Sequence, residues 1–169
     1  MIDFIKEIEN RLGQYKRLPS TPFNSKCRYA IFPALEDYCV NERLYETLFK
    51  ANKRLGNSYF IAKSFLDVKG EAISILKQEE MNWAEFERFQ GLPLVYEGFY
   101  VTGNNFNWLG LYHPDDYFVL GANDELTNLV TYHLYGNDDW QSKLEEAFMN
   151  KQMDMYESDY KALKSKLFN

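Results

Sequence analysis

Apolar residues recur every three to four positions near the beginning of the chain, which is the pattern of an amphipathic helix. They are Ile2, Ile5, Ile8 and Leu12. A second helix is predicted to begin after Asn41, because asparagine often caps a helix N-terminus, and to end at Gly56-Asn57. Residues 71–77 are also predicted to be helical, since Ala72, Ile75 and Leu76 are apolar.

A short helix is predicted after Asn82, where Glu85 follows three residues later in the arrangement of a capping box. Gly91 marks its end. Its apolar face consists of Trp83, Phe86 and Phe89. Residues 140–167 are predicted to be a closing helix, and the pattern leaves open a break near 153–158.

The pattern changes after Leu92. Three segments, 94–102, 108–113 and 117–122, are rich in aromatic and β-branched residues. Turn-forming residues separate them, at 103–105 and at 113–116. This region is predicted to be a three-stranded antiparallel meander.

Some segments fit more than one structure. Residues 59–66 fit either a strand or a helix, and 28–32 fit either a short strand or an extended lead-in to Pro33. Residues 124–135 have helical spacing, but alternation over 129–135 favours a fourth strand. The chain is therefore predicted to be a single α+β domain over 1–169, with N-terminal helices, a central antiparallel sheet of three to four strands and a C-terminal helix.

The distribution of charge adds a second feature. The 54 residues from Phe89 to Ser142 contain no lysine or arginine and seven carboxylates, whereas the other residues include 18 acids and 19 bases. The formal charge of −6 therefore combines −7 in this stretch with +1 elsewhere. The stretch also contains 12 of the 29 aromatic residues. An acidic, aromatic surface suits a basic partner.

The bulk properties exclude several classes of function. The pI near 5.0 argues against direct nucleic-acid binding, which requires a basic surface. No apolar run approaches the length of a membrane span, and the N-terminus lacks the features of a signal peptide, so a cytoplasmic protein is expected. Cys27 and Cys39 are expected to be reduced thiols. No cofactor is predicted.

The acidic stretch contains the candidate binding site. Its carboxylates are expected to meet Lys or Arg on a partner, with neighbouring rings as anchors. The predicted partner-binding residues are Glu97, Trp108, Tyr112, Asp115, Asp116, Tyr117, Asp124, Glu125, Asp138 and Asp139. For the rings the competing interpretation is cross-strand packing, and for the acids it is a passive solvated face.

Two alternatives to a toxin-binding protein are a regulatory or scaffold domain with a passive acidic face and a small metal-binding enzyme. The enzyme would use His113, Asp115, Asp116 and His133, because imidazole and carboxylate are common metal ligands. However, Pro114 followed by two aspartates is also an ordinary turn, in which Asp side chains bond their own backbone. The sequence therefore favours a protein that is not an enzyme.

The segments Asn107–His113 and Tyr117–Gly121, together with the acidic turns at Asp115-Asp116 and Asp138-Asp139, resemble the general character of bacterial toxin-immunity proteins. These proteins neutralise contact-dependent or other polymorphic toxins. The resemblance covers about the middle third of the chain and implies a protein that binds one cognate toxin without catalysis. It assigns no binding residue, because these proteins share a role and not a motif.

Overall fold

The computed structural model describes residues 29–33, 40–64, 75–95, 98–113, 117–152 and 156–167. The strands are β1 (Tyr29–Pro33), β2 (Phe60–Ser64), β3 (Ile75–Gln78), β4 (Phe99–Gly103), β5 (Leu109–His113) and β6 (Tyr117–Gly121). The helices are α1 (Glu42–Arg54), α2 (Trp83–Gln90), α3 (Asp124–Tyr135), α4 (Trp140–Met149) and α5 (Glu157–Leu167). The predicted first helix and both cysteines lie outside the described residues.

The strands form one antiparallel sheet in the order β1-β6-β5-β4-β2-β3. The predicted meander is confirmed as β4, β5 and β6, although β4 begins only at Phe99 and Pro93–Val95 forms a 3₁₀ turn. The α+β class is also confirmed. The expected count of three to four strands is wrong, because β1, β2 and β3 extend the meander to six strands.

Helices cover both faces of the sheet. On the first face α1, α2 and α3 pack against alternate strand residues. These strand residues are Ala30, Phe32, Phe60, Ala62, Leu76, Phe99, Val101, Tyr112, Phe118 and Leu120. On the second face α4 and α5 contribute Leu144, Ala147 and Tyr160. The central strands are therefore buried on both sides.

The side chains of Asn41 and Asn82 cap α1 and α2, as the sequence predicts. Asn41 Oδ1 accepts from Leu44 N at 2.8 Å, and Asn82 Oδ1 accepts from Glu85 N at 3.2 Å. The reciprocal half of the predicted capping box does not form, because the Asn82 amide donates to the Tyr45 hydroxyl at 2.9 Å. The two helices that these asparagines cap, α1 and α2, are confirmed.

Two predicted secondary structures are wrong. Residues 71–77 were predicted to be helical, but Ile75–Gln78 is strand β3. Residues 71–74 lie outside the described residues. Ile75 and Leu76 pair with Lys63 and Ala62 of β2, and this pairing stabilises the extended conformation of β3. Residues 124–135 form helix α3 and not a fourth strand of the meander, because Asn123 caps the helix.

The remaining ambiguous segments are now assigned. Residues 60–64 and 29–33 are strands. The single closing helix is divided into α4 and α5, which confirms a break, although α4 already ends at Met149. Lys151, just after α4, has a φ of 56°, a left-handed conformation that does not continue a helix.

Candidate functional site

The acidic residues of the candidate site lie in two groups. Asp124 and Glu125 are in the first turn of α3, whereas Asp138 and Asp139 follow its last turn. A helix of 12 residues is about 18 Å long, so α3 separates the groups by roughly that distance. Glu97, Asp115 and Asp116 lie outside the described residues.

Asp138 and Asp139 have local partners. Asp139 caps α4: its two carboxylate oxygens accept from the backbone amide and the hydroxyl of Ser142, each at 2.8 Å. These bonds lower the pKa of the Asp139 carboxyl. Asp138 forms a 3.3 Å ion pair with Lys143, which also contacts Glu146 at 2.9 Å. The first base after the acidic stretch therefore partly neutralises this group.

The exposed face of α3 is both acidic and aromatic. At 100° per residue, Asp124, Glu125, Asn128 and Tyr132 fall within an arc of about 100° on the helix. All four are exposed, and Tyr132 exposes 66% of its surface. We call these four residues the acidic strip. The opposite side of α3 is buried in the core.

Three predicted aromatic anchors are buried instead. Trp108, Tyr112 and Tyr117 are only 2%, 5% and 5% exposed. Trp108 donates a hydrogen bond to Asn52, and Tyr112 packs 4.9 Å from the ring of Phe99. A partner could not contact these rings without repacking the core.

Tyr132 is the aromatic residue that the sequence reasoning missed. It lies within the base-free stretch, but it was assigned to a strand that alternates Val130, Tyr132 and Leu134. Helical phase would have identified it, because Asn123 is a good cap and Leu126 and Val130 are four residues apart. The same phase puts Tyr132 on the opposite side of the helix from these two residues.

The two histidines belong to different elements. His133 is on α3, and its Nδ1 is 2.9 Å from the hydroxyl of Thr47 on α1. Partial burial and the positive charge of Arg43 lower the pKa of His133. His113 is the last residue of β5.

In the described ranges, no group of three or more His, Cys, Asp and Glu residues could hold a metal ion. Within those ranges, none of the helices combines the length and the apolar character needed to cross a bilayer.

No protein-family model matches the sequence, and no curated protein or solved structure matches it either.

Proposed function

We propose that this chain is a non-catalytic bacterial binding protein that neutralises a basic, nuclease-type toxin in the cytoplasm. The acidic strip would contact the toxin. The observation that carries the proposal is Tyr132, a large ring 66% exposed on the same arc of α3 as Asp124 and Glu125. An exposed tyrosine beside carboxylates is a combination that suits recognition of a basic protein surface.

The chemistry of the acidic strip suits Lys and Arg side chains. The carboxylates of Asp124 and Glu125 can accept charge-assisted hydrogen bonds from these cations. The Tyr132 ring can contact a guanidinium through its face, and its hydroxyl can form a hydrogen bond at the rim of the interface. The local negative potential would accelerate encounter with a basic protein, and salt would weaken this effect.

The helix that carries the acidic strip is firmly held. Leu126 and Val130 are buried in the core, and the Tyr135 ring lies 6.0 Å from Phe32 of β1. The contact between His133 and Thr47 joins α3 to α1. A rigid helix loses little conformational entropy on binding, which favours affinity.

Asp138 and Asp139 are assigned a lesser part in the proposed interface. Both are exposed, but their charges already interact with Lys143 or with the N-terminus of α4. We expect them to contribute to the overall negative field and to lie at the rim of the contact. Ion pairs at an exposed rim contribute little to affinity.

A regulatory or scaffold domain with a passive acidic surface is the second candidate function. The local roles of Asp138 and Asp139 favour it, because helix capping and a surface ion pair account for these two acids without any partner. This alternative predicts that changes to the acidic strip leave every measured interaction intact.

Isothermal titration against the protein encoded beside this gene tests the proposal. The variant would combine Asp124→Asn, Glu125→Gln and Tyr132→Ala. The matched control would combine Glu42→Gln, Glu87→Gln and Tyr156→Ala, which are also two exposed acids and an exposed tyrosine. We expect the strip variant to weaken binding by about 100-fold. The control is expected to bind like the unmodified protein.

The salt dependence gives a second readout. Binding of the unmodified protein should weaken as sodium chloride is raised from low to high concentration, and the strip variant should show a smaller dependence. Equal affinities of the strip variant and the control would contradict the proposal. Absence of binding to the neighbouring product would also contradict it.

A further inference from the structure

A cavity of about 560 Å³ lies where β3 ends and α2 begins. Its lining includes the carboxylates of Glu79, Glu80 and Glu85 and the side chains of Met81 and Trp83. None of these residues belongs to the base-free stretch that contains the acidic strip. The cavity also lies at the opposite end of the sheet, since β3 is the last strand in the order and α3 reaches β1.

The charge of the cavity is negative. Lys77 is the one base in the lining, and its ammonium nitrogen lies 3.6 Å from the centroid of the Tyr59 ring. Glu79 is hydrogen-bonded to the phenol of the same Tyr59, and this bond raises the pKa of Tyr59. Tyr59 is neutral and cancels neither charge, so the one base, Lys77, and the three carboxylates of Glu79, Glu80 and Glu85 give the lining a formal charge of −2.

A buried hydrogen-bond network fixes the floor of the cavity. Gln78, only 3% exposed, accepts from the Tyr45 hydroxyl at 2.8 Å. Its amide donates to Glu85 Oε2 at 3.0 Å and to the carbonyl of Asn82 at 2.9 Å. The Glu85 carboxylate is thus held in a defined position at the wall. A pre-organised carboxylate binds a cation with less loss of entropy.

The lining also contains two apolar side chains, those of Met81 and Trp83. Met81 is 44% exposed, and Trp83 is half-buried with its ring 5.6 Å from that of Tyr45. Ile75, on β3, is 46% exposed. Long basic side chains combine an apolar stem with a charged head, so they suit a lining that contains both acidic and apolar side chains. Methionine adapts well to the shape of a bound side chain.

We propose that this cavity docks an Arg or Lys side chain of an extended, basic segment of another protein. The stem would lie against Met81 and Trp83, and the head would meet Glu80 and Glu85. An apolar neighbour in the same segment would cover Ile75. A divalent metal ion is a poorer occupant, because the described His, Cys, Asp and Glu residues include no cluster suited to one. The proposal is independent of the toxin-binding role of the acidic strip.

Nuclear magnetic resonance with defined peptides tests the docking of a basic segment. The probes would be acetyl-Ser-Leu-Arg-Leu-Ser-amide, the same peptide with Glu in place of Arg, and acetyl-arginine-amide. We expect the Arg peptide to shift the amide signals of residues 77–85 and the indole signal of Trp83 saturably. The Glu peptide should shift none of them, and acetyl-arginine-amide should bind at least about fivefold more weakly.

The control compares charge reversal at a residue of the lining with charge reversal at a residue outside it. Glu80→Lys should weaken the Arg peptide about fivefold or more, while Glu87→Lys, also exposed on α2 but outside the lining, should leave its affinity unchanged. Unchanged amide spectra away from the cavity would show that both variants fold. Equal weakening by both variants, equal binding of the Glu peptide, or no saturable shift with the Arg peptide would each overturn the proposal.

Discussion

The indole nitrogen of Trp108 donates a buried hydrogen bond of 2.9 Å to Oδ1 of Asn52, a residue 56 positions earlier in the chain. Asn52 also donates from Nδ2 to the carbonyl of Tyr59 at 2.9 Å. One side chain at the end of α1 thus satisfies polar groups before β2 and before β5. Both Asn52 and Trp108 are buried, so the bond between them forms away from water.

Asn52→Ala is expected to reduce the free energy of unfolding by about 2–4 kcal/mol, because it removes the partner of the buried Trp108 indole and also that of the partly exposed Tyr59 carbonyl. Urea denaturation measures this loss. Asn128→Ala, at an exposed position of α3, serves as the control and should change stability by less than about 0.5 kcal/mol. A similar effect of both substitutions would show that the Asn52 bonds contribute nothing specific.

Gly103→Ala is expected to destabilise the protein by about 3 kcal/mol or more, because the added methyl group would overlap the same polar network. A Cβ at Gly103 would lie 2.2 Å from both Asn52 Oδ1 and Asn57 Cγ. At Gly91 the nearest atom would be 3.6 Å away and φ is −74°, so Gly91→Ala should be close to neutral. Thermal unfolding of the two variants compares them, and a tolerated alanine at position 103 would contradict this packing.

Removal of the hydroxyl should change the free energy of unfolding differently at Tyr45 and at Tyr135. The Tyr45 hydroxyl bonds Gln78 and the Asn82 amide, so Tyr45→Phe should cost about 1–2 kcal/mol. The Tyr135 hydroxyl is buried and bonds no described residue, and burial raises the pKa of this phenol. Tyr135→Phe should therefore be neutral or stabilising by up to about 1 kcal/mol. Chemical denaturation of both variants checks the contrast, and equal losses would refute it.

The free energy of unfolding should fall as the pH decreases below 6.5, because His133 then becomes protonated more readily in the unfolded chain than in the folded protein. Its pKa in the folded protein is lower than the ordinary 6.5, so in that range the unfolded chain binds more protons. Thr47 donates its hydroxyl proton to the Arg43 carbonyl, and it therefore accepts from His133 Nδ1. The stabilising contribution of neutral His133 is fully present above pH 6.5 and is lost as the pH falls through the lowered pKa.

His133→Asn keeps a donor toward Thr47 but cannot titrate, so it isolates the pH effect. We expect the free energy of unfolding of the variant to depend less on pH than that of the unmodified protein between about pH 7.5 and 5.5. Urea denaturation at several pH values provides the measurement. Parallel pH profiles of the two proteins would show that His133 does not contribute.

Local signals predicted the capped helices well. Asn41 and Asn82 accept bonds from amides three residues later, a contact that depends only on neighbouring residues. The strand at Ile75–Gln78 was missed because its pairing with residues 60–63 is not encoded by a local period. Its four residues are too few for periodicity to separate strand from helix.

The burial of the candidate aromatic residues has a related cause. Tyr112 and Tyr117 were predicted to contact a partner, with cross-strand packing as the competing interpretation, and they lie on opposite faces of a sheet that helices cover on both sides. In such a sheet both sets of alternating side chains are buried. The sequence indicated a charged stretch, whereas helix α3 determines that Tyr132 is the ring exposed beside Asp124 and Glu125.

The most direct test of the central claim uses a candidate nuclease toxin encoded beside this gene, whose activity is measured against rising amounts of this protein. Our account predicts that the nuclease activity disappears at a molar ratio of this protein to toxin of about one to one. The variant with Asp124→Asn, Glu125→Gln and Tyr132→Ala should require at least about ten times as much protein for the same inhibition. Full nuclease activity in the presence of excess unmodified protein would contradict the account.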